Sequence, residues 1–194
     1  MNLLSHLFLR AKHWQIFLFV FALGFVVQVA VSDAIMAGVR SPGEVGRAGL
    51  LQLGLVEALT MCIFLLWFWF LGVFLCSLVR PDLKPKIAFF RVTTIYPVLY
   101  AFAVPALFVS VNPVLSGALL PLHLLAMTCL IYDLYFVAKC LTLAVTGKPK
   151  TFSDFAGTFF LLWFFPIGVW SIQPKSIDCM KHARTLYPQP NARS

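Results

Sequence analysis

Between Leu50 and Val79, thirty residues pass with a single formal charge, Glu57. The centre of that run, FLLWFWFLGVF from Phe64 to Phe74, carries none. A helix built from it is apolar on every side, which suits a membrane span rather than the surface of a soluble layer. Further apolar runs cover about residues 15–31, 92–111 and 115–145, and a broken one covers 155–172. The chain is 61% hydrophobic and 11% charged, where a soluble domain carries about 25% charged residues. So little polar surface cannot cover a globule in water. The expected fold class is therefore all-α, an integral membrane helical bundle. Residues 1–174 form one membrane domain, and 175–194 form a basic, partly disordered tail.

Punctuation along the chain sets the spans. A basic start with Arg10 and Lys12 leads to Trp14 at the interface and a first span of about 15–31. A cleaved signal peptide ending near Ala30-Val31-Ser32 is the competing reading, but the apolar run exceeds the roughly 7–15 residues of such a segment. A glycine-rich loop from Ser32 to Gly49 precedes the second span, which is long enough to tilt. Arg80 to Arg91 form a compact basic loop stopped by Pro81 and Pro85. Pro97 and Pro105 are expected to kink the third span, since each removes a helix donor. Asn112-Pro113 predicts a turn, and Thr146 to Lys150 ends the fourth span. Ser153 and Asp154 are expected caps of the next helix.

Lys and Arg counts orient the chain. If the first four spans cross, eight of these residues (Arg10, Lys12, Arg80, Lys84, Lys86, Arg91, Lys148 and Lys150) share one side, against Arg40 and Arg47 on the other. The positive-inside rule then places the N-terminus in the cytoplasm. Lys175, Lys181, Arg184 and Arg193 extend the split to twelve against two if residues 155–172 dip in and return. A full crossing gives eight against six. Phe165-Pro166-Ile167-Gly168 supplies the turn for a dip, so four spans plus a C-terminal re-entrant or interfacial segment are expected, with five spans as the alternative. The formal charge of +8 follows the same rule and gives no reason to expect nucleic acid.

The run FSDFAGTFFLLWFFPIGVWSIQPKSI, preceded by Tyr135-Phe136-Val137-Ala138-Lys139, resembles the C-terminal end of a group of uncharacterised bacterial polytopic membrane proteins. Those proteins share an F-(S/G)-D-(F/Y)-A-G…FF-L-x-WFFPIG-x-W-x-x-QP pattern. The resemblance covers about residues 130–177 and implies a bacterial inner-membrane protein. No activity is known for the group, so no site residue follows from it. Where the group continues with a basic, Asn-containing segment, this chain has Ser176-Ile177-Asp178.

Ionisable and amide groups inside spans are the candidates for chemistry. Gln28, Glu57 and His123 fall at similar expected depth in the outer leaflet and could form one polar cluster. A structural polar contact between helices is the alternative. Asp133 and Lys139 form a weaker set with Tyr132 and Tyr135, read as an interfacial belt near the inner end of the fourth span. Cys62 with Cys76, and Cys129 with Cys140, each share a helix face; small packing residues are the expectation, with a buried thiol site the alternative. No H-E-x-x-H, G-x-S-x-G, P-loop or C-x-x-C occurs, and no cofactor or metal is implied. The run Trp67-Phe68-Trp69-Phe70 points all round its helix and is read as lipid contact and packing. The expected function is a non-catalytic accessory or scaffold protein binding lipid and other membrane proteins. A small transporter or channel using Glu57 and His123 is the alternative, and an intramembrane enzyme the third.

Overall fold

The computed structural model describes residues 44–109 and 113–164 continuously, residues 13–18 and 170–172 in short pieces, and single helical positions at 22, 25, 26, 29, 32, 36 and 174. The described elements are all helical: α1 (His13–Phe17), α2 (Glu44–Leu78), α3 (Ile87–Val109), α4 (Pro113–Thr146) and α5 (Phe152–Trp163). Three helical stretches are long and apolar enough to cross a membrane, Arg47–Leu78, Ile87–Leu107 and Leu119–Thr146. Of the expected first span, only residues 15–18 and scattered positions beyond them are described, and all of these are helical. The Phe165–Gly168 turn and the tail 175–194 lie outside the described residues.

Helices run further than the breaker residues suggest. α2 begins at Glu44 rather than Leu50, through Gly46 and Gly49. Each glycine costs a helix roughly 1 kcal/mol, a modest sum against the propagation of a 35-residue element. α3 begins at Ile87, five residues before the expected start, and continues through Pro97 and Pro105. α4 continues through Pro121, and its first residue is Pro113, where a missing N–H is harmless. Gly147 stops α4 in the left-handed conformation, φ +61°, donating its N–H to Leu143 O at 2.9 Å.

The cap of α5 differs from expectation. The N-cap is Thr151, not Ser153, and Asp154 is its reciprocal partner. The Asp154 carboxylate accepts the Thr151 backbone N–H at 2.8 Å and the Thr151 hydroxyl at 3.0 Å. α5 has 12 residues and a length of about 18 Å, short of the roughly 30 Å hydrocarbon core.

The chain divides into two compact units. One comprises residues 1–16, 67–87 and 134–194; the other comprises 17–66 and 88–133. In the first unit, Trp67, Phe68, Leu71, Leu75, Phe136, Phe155, Leu162 and Ile172 are buried. Trp67 and Phe68 belong to this core, packed edge to face at 5.1 Å. The aromatic run is thus half core, because its first two residues face the packing. Tyr135 lies among aromatic rings of α5, stacked on Phe152 at 6.3 Å and edge-on to Phe155 at 5.3 Å. Arg80 donates to Gly147 O at 3.4 Å, so the loops after α2 and α4 meet at one end of this unit.

In the second unit α3 and α4 run antiparallel. Phe89 packs on Tyr132 at 4.7 Å, and eleven residues further along α3 Tyr100 meets His123. α2 approaches α3 where Gly54 faces the ring of buried Pro105. Any Cβ at residue 54 would run into that ring.

Candidate functional site: a buried carboxyl between α3 and α4

Asp133 is the buried acidic side chain among the described residues, 1% exposed. It stands 14 residues after Leu119 and 13 before Thr146, midway along the apolar stretch of α4. Roughly 20 Å of helix separates it from each end of that stretch. Thr93 and Thr94 of α3 are buried against it. The Thr93 hydroxyl donates to Asp133 Oδ1 at 2.7 Å. Asp133 Oδ2 is buried and makes no hydrogen bond.

The local arithmetic leaves acceptors in excess. Thr93 has one hydroxyl proton and three acceptors within reach: Asp133 Oδ1, Phe90 O at 3.0 Å and Phe89 O at 3.1 Å. The Thr94 hydroxyl lies beside the carboxyl but donates to Phe90 O at 2.8 Å. Four residues on, Pro97 has no N–H, so the Thr93 carbonyl lacks its helical donor. Among the described residues the ion pairs are Arg80–Asp82 and Lys150–Asp154, and neither involves Asp133. The Lys139 ammonium lies 5.6 Å from the centre of the Tyr135 ring.

The other expected residues are placed differently. Gln28 lies outside the described residues. Glu57 is exposed on α2. His123 is exposed on α4, with its Nδ1 3.2 Å from the Tyr100 hydroxyl. Among the described residues no hydrogen bond or ion pair joins Glu57 to His123. Tyr96, one turn before Tyr100, donates to Leu122 O at 3.1 Å and stacks on Tyr100 at 6.3 Å. Tyr96 and Tyr100 therefore line up with Thr93 as a polar edge of α3 facing α4.

Sequence reasoning passed over Thr93, Thr94, Tyr96 and Tyr100 because hydroxyls are common in spans. One signal was present: a threonine pair four and three residues before a proline, which puts a freed carbonyl beside two hydroxyls. One cysteine contact runs across helices. Cys76 and Cys140 are both fully buried, with their thiols in hydrogen-bonding contact in the first unit. Cys76 also donates to Pro85 O at 3.7 Å. Cys129 is buried in the second unit, while Cys62 is half-buried. Among the described residues no group of three or more His, Cys, Asp or Glu converges.

No family model, no curated protein and no solved structure matches this chain.

Proposed function

We propose that the chain is a non-catalytic accessory or scaffold protein of a bacterial-type cytoplasmic membrane, holding another membrane protein against the outer face of α3. One observation carries this reading. Ala88, Val92, Ile95, Leu99, Phe102 and Ala106 are all exposed, and they follow one another at steps of 4, 3, 4, 3 and 4. That is the spacing of a helix–helix seam. α3 buries 22% of its apolar window, against 39% for α2 and 44% for α4. Val92 and Leu99, two turns apart, are 64% and 63% exposed. A partner helix packs along a row of this period.

The test keeps the face apolar and spoils its shape. Tagged full-length chain, purified in mild detergent, is compared with Leu99→Trp. The expected result is a membrane protein that co-purifies stoichiometrically with the wild type and is released by the bulky variant at unchanged abundance. A partner-free wild type, or a partner held equally by both chains, overturns the reading.

Orientation belongs to the same proposal. The twelve-to-two partition of Lys and Arg supports a cytoplasmic N-terminus with residues 155–172 dipping in and returning. The resemblance of the C-terminal run supports the bacterial setting. A Ser194→Cys chain in intact cells should resist an impermeant thiol reagent; labelling from outside would mean that the segment crosses.

A further inference from the structure

We propose that Asp133, Thr93, Thr94 and the Thr93 carbonyl released by Pro97 form a binding site for one small monovalent cation of the sodium class. The site is independent of what α3 carries on its outer face. It moves ion-linked chemistry away from Glu57 and His123 to the middle of the α3–α4 pair.

The argument begins with charge. Asp133 is buried at mid-span, and no Lys or Arg pairs with it among the described residues. An isolated carboxylate in such surroundings is expensive, and groups of this kind in spans are functional by default. Its Oδ2 has no hydrogen-bond partner although the side chain is almost wholly enclosed. The surrounding atoms make the deficit larger. Both threonine hydroxyl protons have acceptors already, and Pro97 takes away the helical donor of the Thr93 carbonyl. What meets at Asp133 is oxygen: the two carboxylate oxygens and the two threonine hydroxyls, with the Thr93 carbonyl on the same turn of α3.

Chemistry then selects the ligand. An all-oxygen set suits a hard cation and disfavours soft or imidazole-seeking metals. One carboxylate neutralises one charge, so a monovalent ion balances the site. A divalent ion would leave a net charge in the span. Several weak oxygen donors are what an alkali cation uses to replace its water. A bare proton bridges only two oxygens and would leave the remaining donors without a role. The unwound or proline-freed backbone carbonyl is also the element by which membrane helices coordinate such ions.

The experiment uses purified full-length protein in detergent, with thermal unfolding followed at constant ionic strength while sodium replaces N-methylglucamine. Wild type should gain a saturable upward shift in Tm with sodium, smaller with potassium, as binding to the folded state requires. Thr93→Val and Asp133→Asn should lose the shift, while Thr93→Ser and Glu57→Gln keep it. Pro97→Ala is the discriminating variant. It restores an N–H to the Thr93 carbonyl, so it should weaken the sodium response while leaving the sodium-free Tm unchanged or raised. A merely structural threonine–aspartate contact predicts no sodium dependence in any chain. A flat Tm in wild type therefore overturns the proposal, as does a sodium shift that survives Thr93→Val. A carboxylic-acid C=O band in the infrared that is assigned by Asp133→Asn and insensitive to sodium also overturns it, leaving a protonated acid instead. If Asp133→Asn fails to fold, Thr93→Val and Pro97→Ala decide.

Discussion

Prolines aside, twenty apolar side chains are buried among the described residues. Fifteen of them belong to the unit of residues 67–87 and 134–194, and five to the unit of 17–66 and 88–133. The three buried polar side chains, Thr93, Thr94 and Asp133, all belong to the second. The first unit is held by dense apolar packing that includes Phe136, Val137, Cys140 and Leu141, trimmed by a helix cap and a loop contact. The second has a thin apolar core, and its helices are fastened by hydroxyls, a carboxyl and a glycine–proline approach. In lipid this difference matters more than in water, because tails are as apolar as leucine and association rests on packing and hydrogen bonds.

The largest expected effect tests the packed unit. Phe136 is fully buried, and Phe136→Ala should cost about 3–5 kcal/mol through the lost contacts and the cavity. Leu99→Ala, on the open face of α3 in the second unit, should cost far less, since lipid fills the space. The two variants are compared by thermal unfolding in one detergent. Equal losses would break the contrast between the units.

A smaller effect belongs to the second unit. Gly54→Ala places a methyl group against the Pro105 ring, and either α2 or α3 must shift. Overpacking of this kind costs about 1–3 kcal/mol, within reach of the same unfolding measurement. Gly157→Ala in α5 is the control, because its Cβ would meet open space. If Gly54→Ala behaves like Gly157→Ala, close approach does not hold α2 on α3.

The apolar runs made the helical class legible, since a 3.6-residue repeat is not needed where every face is apolar. Helix boundaries were legible only to within several residues. Glycines before Leu50 and prolines in α3 and α4 break helices in water, but in lipid the unpaired backbone has no solvent to escape to. Asp133 was visible as an ionisable residue inside a span. Its importance was not, because its depth depends on where α4 ends and its partners sit forty residues away on α3. A Glu57–His123 cluster needs similar depth and also both helices turning those faces inward. Depth says nothing about which face a helix turns inward, and Glu57 is exposed. Cys76 and Cys140 teach the same lesson: residues sharing a face on one helix need not touch, while residues on two helices can.

Two aspartates carry the comparison down to single groups. Asp133 is enclosed with an oxygen left over, whereas Asp154 is exposed and saturated with donors. The Thr151 backbone N–H and hydroxyl, with the Lys150 ammonium 3.6 Å away, hold the Asp154 carboxyl below the usual carboxylate range. A folded-state value below the unfolded one means that the carboxylate form favours the capped helix. Its contribution is complete above the unfolded value of about 4 and fades as pH falls through the folded value. Hydrogen exchange at the Thr151 amide, corrected for the intrinsic rate, should therefore lose protection as pH falls from about 4 to about 2. Asp154→Asn should show the weaker protection at both ends of that range, since its amide oxygen accepts without charge. Exposure keeps the effect the smallest of the three, a local fraying of α5 with the packed core behind it intact. Protection that is flat with pH in wild type would mean that the cap stands without its carboxylate, and that the edge of the first unit rests on packing alone.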